Sequence, residues 1–227
     1  MRPKLILSWS SGKDSAFALH TLRLAQTYDV VGLLTTVNRV HDRVAMHAVR
    51  RELLRLQARA ADLPLIEVDL PFPCSNDEYE ARMRAFVQQA LGLGVSAVAF
   101  GDLFLEDVRA YRERQLAGTG LTPVFPLWGK PTAALAREMI ASGLEARLTC
   151  VDPKQIDPSF AGRPFDQRLL DELPPSADPC GERGEFHTFV WAGPMFRAPV
   201  DVLPGEIVTR DGFVFADLLP APPLTDA

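Results

Sequence analysis

A doubly wound α/β fold, a parallel sheet with helices on both faces and a smaller C-terminal α+β part behind it, is what the sequence predicts. Three observations carry the prediction. Short apolar runs alternate with helix-length amphipathic segments from residue 4 to residue 100, a loop of small polar residues separates the first run from the first such segment, and the alternation stops near residue 125. Parallel neighbours need a crossover, and a crossover helix packs back onto the sheet it leaves.

The elements follow in order. Residues 4–9 are apolar without a helical stripe, a first strand, and residues 14–27 place Phe17, Leu19, Leu22 and Ala25 on one helix face. The β-branched run 30–37 is a second strand, residues 44–61 a second helix with Val49, Leu53, Leu56 and Ala60 in step, and residues 65–70 a third strand. Residues 77–91 form a helix whose Glu78 and Glu80 suit its positive N-terminal end, and 96–100 a buried strand ending at Gly101-Asp102. Ligands in such sheets sit beyond the carboxyl ends of the strands, which directs attention to three loops, 8–15, 35–43 and 101–114. After a boundary near 125, a helix over 132–142, a strand over 146–151 and a hairpin of 206–209 with 213–216 around Asp211-Gly212 are expected, with a flexible Pro-rich tail from about 219. The expected units are thus 1–125 and 126–227.

The 227 residues, 47% hydrophobic and 23% charged, suffice for one large domain or one with a small companion, and rule out disorder and fibre. The longest charge-free stretch near the middle, 91–101, is too short to span a bilayer, and no secretory signal follows Met1, so a cytoplasmic protein is expected. A net charge of −5 argues against nucleic acid as the main partner. Three cysteines, Cys74, Cys150 and Cys180, build neither a disulfide framework nor a zinc ribbon.

The strongest local signal is Ser8-Trp9-Ser10-Ser11-Gly12-Lys13-Asp14-Ser15, a loop between strand and helix. Small residues let backbone N–H groups and the helix N-terminus surround an anion, and serine hydroxyls and the Lys13 ammonium add donors and charge. It is a phosphate loop in chemistry but not a Walker A loop, because Asp14 stands where Ser or Thr follows the lysine. A second signal, Gly181-Glu182-Arg183-Gly184-Glu185-Phe186-His187-Thr188, has two glycines spaced to fold tightly and aim Glu182 and Glu185 into a cleft, with His187 on the same strand face as Glu185. Those carboxylates and His187 are candidates for general acid–base work on one substrate. Arg109 and Arg112 are candidate clamps for phosphate or carboxylate, and His47 with Arg50 lies one helical turn apart. Cys180 is a weak candidate nucleophile.

The segment Ser10-Ser11-Gly12-Lys13-Asp14-Ser15 resembles the SGGKDS loop of the ATP-pyrophosphatase group within the adenine nucleotide alpha hydrolase (HUP) superfamily, with Ser11 in place of the usual glycine. Gly101-Asp102 followed by Arg109 and Tyr111-Arg112-Glu113, then Phe125-Pro126-Leu127-Trp128, then the GERGEFHT run, resemble the diphthine–ammonia ligase family across residues 5 to about 217. Arg183 departs from that pattern, where a smaller residue is common. The resemblance implies a HUP fold and cleavage of ATP to AMP and pyrophosphate. It places the leaving pyrophosphate in the loop, Ser10, Ser11, Gly12, Lys13, Asp14 and Ser15, and a magnesium ion at Asp14 and Asp102. It lays the nucleotide along the end of the second strand, Thr35 and Thr36 included. Its catalytic candidates are Lys13, Asp102, Glu182, Glu185 and His187. The acceptor implied is a carboxylate, small or protein-borne, amidated with ammonia. A nucleotide sensor without turnover and a sulfur-transfer or reductase relative stay open as alternatives, and so does a homodimer.

Overall fold

The computed structural model describes residues 1–38, 43–44 and 49–222. Among the described residues ten strands form two sheets. The first contains β1 (Lys4–Ser8), β2 (Asp29–Asn38), β4 (Leu65–Leu70), β5 (Val95–Ala99) and β6 (Thr122–Val124), all parallel in the spatial order β4-β2-β1-β5-β6. A two-residue strand, β3 (Arg43–Val44), runs antiparallel to Val37 and Asn38 of β2. The order of the chain through the sheet reverses between β1 and β5, so the crevice for a ligand opens beyond the carboxyl ends of those two strands.

Side chains alternate across the sheet as strand geometry demands. Leu5, Leu7, Leu33, Ala97 and Ala99 face one apolar cluster, and Ile6, Leu34 and Val98 face the other. The first cluster is closed by α1 (Lys13–Ala25), α2 (Arg51–Ala60) and α5 (Thr132–Ala141), and the second by α3 (Asn76–Gly92) and α4 (Glu106–Leu116). Helix α3 starts at a capping box in which the Ser75 hydroxyl accepts from Glu78 N at 3.3 Å and the Glu78 carboxylate accepts from Ser75 N at 3.3 Å.

The second sheet is antiparallel, in the order β8-β7-β10-β9, from β7 (Glu145–Val151), β8 (Phe186–Ala192), β9 (Val202–Arg210) and β10 (Phe213–Pro220), with α6 (Gln167–Glu172) beside it. Both of its faces contribute to the first apolar cluster, Leu148, Phe186, Phe189 and Val190 among its members, and β8 lies against α1. At the β9–β10 turn Asp211 (φ 51°) and Gly212 (φ 83°) are both left-handed, as a two-residue hairpin loop requires.

Four expectations are corrected. The described helix α2 begins at Arg51, not at 44, because Arg50 is extended (φ −62°, ψ 136°) and pairs its guanidinium with Asp217. The stretch 101–114, expected as a loop, holds α4, a polar helix that buries only Leu116 and so shows no apolar stripe in the sequence. The hairpin strands are longer than expected, and Leu219 and Pro220, placed in a flexible tail, pair with Leu203 and Val202 in β10. His47 and residues 223–227 lie outside the described residues. Among the described residues no helix is long and apolar enough to cross a membrane.

Candidate functional site

The first crossover and the far C-terminal segment meet at the predicted crevice. A cleft of about 220 Å³ is lined by Ser10, Gly12, Lys13, Asp14 and Ser15 from the loop, and by Gly101, Asp102 and Arg112 from the β5–α4 segment. Glu182, His187 and Thr188 face them from the other side. Gly101 is required by closeness: a Cβ there would stand 3.0 Å from the backbone of Asp14 and Ser15, pushing β5 away from the start of α1.

The loop is held from below by groups that its own sequence does not announce. Gln57 of α2 is fully buried. Its amide accepts from Trp9 Nε1 at 2.9 Å and donates to Ser11 O at 3.0 Å and Val190 O at 2.6 Å. Strand β8 completes the support, because Val190 N donates to Ser11 O at 3.1 Å and Thr188 Oγ1 accepts from Lys13 N at 3.0 Å. Thr35 does not line the cleft. Its hydroxyl donates to Trp9 O at 2.6 Å and so ties the loop to β2, where Thr36 is only half-buried.

Ser11, the residue that departs from the glycine of the resembled loop, sits at φ 72° with its hydroxyl buried and without a hydrogen bond. A side chain in this region costs about 1–2 kcal/mol, partly offset by the extra freedom that glycine brings to the unfolded chain. We expect Ser11→Gly to raise stability by about 1 kcal/mol in chemical denaturation and to leave the loop's hydrogen bonds intact. A loss of stability would show that Ser11 has a partner the geometry does not reveal.

Lys13 is 2% exposed, with its ammonium 2.9 Å from Asp14 Oδ2, donating to Cys180 O and lying 5.4 Å from the Phe186 ring centre. Burial alone would depress its pKa, but the attraction of Asp14 foremost outweighs that and holds the group above its ordinary value, so it stays charged. Burial pushes Asp14 up against the opposing pull of Lys13, and Asp102 up against that of Arg112. Arg112 Nε stands 3.5 Å from Asp102 Oδ2, near enough for attraction but misaligned for a hydrogen bond.

Glu182 points into the cleft and accepts from Leu103 N at 2.8 Å. Burial, with help from Asp14 and Asp102, raises its pKa to about 7. Burial and the nearby Lys13 charge lower His187 to about 4, so the imidazole is neutral at physiological pH. The expected partnership of Glu185 with His187 is not what the structure forms. Both Glu185 oxygens are occupied by backbone, Oε1 accepting from Asp178 N at 2.7 Å and Oε2 from Arg183 N at 2.9 Å, and the residue, 1% exposed, does not line the cleft. It fastens the turn that aims Glu182. Gly181 is the pivot of that turn, at φ 67° with Phe186 O only 2.8 Å from where a Cβ would stand.

The remaining candidates separate clearly. Arg109 lies outside the cleft, paired with Glu113 at 2.8 Å and stacked 5.0 Å over Phe125 and 4.8 Å over Trp128. Arg183 is exposed and stacks 5.6 Å from Phe104, which accommodates a long side chain at that position. The Cys180 thiol is buried, bonded to Thr132 O at 3.4 Å and pushed far up by desolvation, the opposite of an activated nucleophile. Asp178, which sequence reading passed over, accepts from Cys180 N at 2.9 Å and from Thr132 Oγ1 at 2.7 Å. A Gly-rich turn with an acidic residue four before its first glutamate was the available signal.

The titrations of Glu182 and His187 oppose each other in folding. Between about pH 4.5 and 6.5 the unfolded chain carries the proton on histidine and the folded chain carries it on Glu182, so the pair contributes no pH dependence there. Removing one partner exposes the other. In Glu182→Gln, stability should fall as pH drops from about 6.5 toward 4, and in His187→Gln it should fall as pH rises from about 4.5 toward 7. Each slope should be about 1.4 kcal/mol per pH unit in urea titrations, and parallel profiles for the two variants would refute the assignment.

The donor set also fits a hard cation. Asp14 Oδ1 and Asp102 Oδ2 are buried oxygens without a hydrogen bond, in a cleft where three carboxylates are all pushed upward. Among the described residues no group of three or more His, Cys, Asp or Glu is placed to hold a metal by itself. That suits an ion held by one or two carboxylates together with substrate phosphates.

Known proteins resemble this chain along most of its length. The chain is 28% identical over 228 residues to the diphthine–ammonia ligase of Bos taurus, covering 91% of this chain and 85% of that protein. It is 27% identical to the enzyme of that name from Danio rerio, covering 91% and 89%. The Schizosaccharomyces pombe ligase is 26% identical over 223 residues, 88% of this chain but 36% of that longer protein. Residues 3–123 match the diphthamide synthase N-terminal domain and residues 131–216 the diphthamide synthase C-terminal domain. The chain therefore belongs to the diphthamide synthase family, a family of ligases of the ATP-pyrophosphatase type.

Proposed function

We propose that this protein joins ammonia to an organic carboxylate at the expense of ATP. The acceptor carboxylate oxygen attacks the α-phosphorus and pyrophosphate leaves, then ammonia attacks the acyl carbon of the adenylate, releasing AMP and one proton. The observation that carries the reading is the shared cleft, in which Lys13 is anchored to Cys180 O while Glu182 and His187 face the same space.

Each residue has a task in this reading. The loop 10–15 and Lys13 hold the departing pyrophosphate, where a buried fixed charge is worth far more than in water. Arg112 offsets charge on the opposite wall. Asp14 and Asp102 would hold magnesium, which when bound neutralises phosphate charge. Neutral His187 orients ammonia, and Glu182, with its pKa near 7, takes the proton lost by the attacking nitrogen. The carboxyl end of β2 would carry the adenosine. Residues 1–125 then form the nucleotide unit and 126–227 the unit that closes it.

The test is pyrophosphate release from ATP with magnesium, ammonium and a panel of carboxylic acids, with ¹⁵N-ammonium traced into product. We expect release that depends on both ammonium and acid, with one ¹⁵N incorporated for each AMP. Folded protein that binds ATP yet forms no AMP under any of these conditions would replace the reading with a nucleotide sensor.

A further inference from the structure

A second cavity, about 710 Å³, lies between α3 and α4 on the face of the sheet opposite α1. That volume is in the range of sites for small organic molecules. Its walls are Tyr79, Met83 and Val87 of α3, Phe100 at the end of β5, and Tyr111 and Leu116 of α4. Phe100 and Arg112 also line the phosphate cleft, so the two spaces meet at a shared wall. Arg112 stands at this junction, its guanidinium 5.0 Å over the Phe100 ring and its Nε without a hydrogen bond.

The charges are arranged in opposite senses on the two sides. In the phosphate cleft Lys13 and the shared Arg112 stand against Asp14, Asp102 and Glu182, whereas the larger cavity carries Arg84, Arg112 and Arg114 against one carboxylate, Glu80, which pairs with Arg84 at 3.7 Å. A neutral apolar ligand would have no use for that surplus of cations, and a cationic one would be repelled.

We propose that this cavity seats the acceptor: an organic acid with an aromatic or branched apolar body between α3 and α4 and its carboxylate on Arg112, facing the phosphate cleft. The assignment rests on the amidation reading above. Arg112 thereby has two successive duties, holding the acid before attack and offsetting phosphate charge during it.

The test uses indole-3-acetate and its neutral analogue indole-3-acetamide as probes, with the full chain, by calorimetry or saturation-transfer NMR. The acid should bind about tenfold more tightly than the amide, and Arg112→Gln should erase that preference. Met83→Trp and Gln88→Trp fill the cavity, the second from an exposed position that should not disturb folding. Each should weaken the acid about tenfold while ATP affinity stays within about twofold. Equal binding of acid and amide, or undiminished acid binding in both filled variants, overturns the proposal. Loss of ATP affinity in the filled variants would put the nucleotide base here and overturns it as well. If no pyrophosphate is released from any acid yet acid binding depends on the cavity, the amidation reading falls and the acid site stands. If release succeeds and both filled variants turn over acids as the native chain does, only the site falls.

Discussion

Lys13→Ala should lower pyrophosphate release by about 10²–10³-fold and unfolding free energy by about 3 kcal/mol. The two effects have one cause. The ammonium is buried, bonded to Cys180 O and Asp14, and it faces a cleft that also contains Asp102 and Glu182. Removing it leaves Asp14 as a partly buried carboxylate among like charges, and leaves the leaving phosphates without their fixed counter-charge. The variant should therefore show a further rise in the Asp14 pKa and recover stability at acid pH. A second substitution separates the effects: Lys13→Ala with Asp14→Asn should regain most of the lost stability and none of the activity. If the single variant were as stable as the native chain, or retained its rate, the electrostatic account of the cleft would be wrong.

Gln57→Leu is the second large effect, although Gln57 touches no part of the cleft. Its amide links Trp9, Ser11 and Val190, joining α2, the phosphate loop and β8. Leucine has similar volume but leaves the Trp9 N–H and the Val190 carbonyl buried without partners, at about 1–3 kcal/mol each. We expect a loss of about 2–4 kcal/mol and, because Ser11 is freed from one of its two supports, a rise of about tenfold in the KM for ATP. A stability loss with unchanged KM would mean that the loop holds its shape without α2.

How much of this could be read beforehand depends on whether the information is local. The first strand, the loop and the α1 register follow from consecutive residues, and so do the 65–70 strand, α3 and the Asp211-Gly212 turn. Helix α4 escaped because it is polar on nearly every face and packs chiefly through Leu116 and stacked arginines. Ser10, Gly12, Lys13, Asp14, Ser15 and Glu182 were found from composition and spacing, and they do line one cleft, whereas Ser11 is buried and does not. Glu185 was misread because alternation along a strand predicts its direction only once the strand has begun, and β8 starts at Phe186. Gln57 and Thr188 were invisible as site supports, since their meaning lies in partners 46 and 175 residues away.

The placement of β8 bears on how the protein is made. Thr188 follows Lys13 by 175 residues, so during synthesis that much further chain must emerge before the loop of residues 10–15 acquires its last supports from β8. The nascent sheet can assemble earlier from β1, β2, β4, β5 and β6. The final shape of that loop is thereby deferred until β8 has emerged, and a product that stops short of β8 would lack those supports.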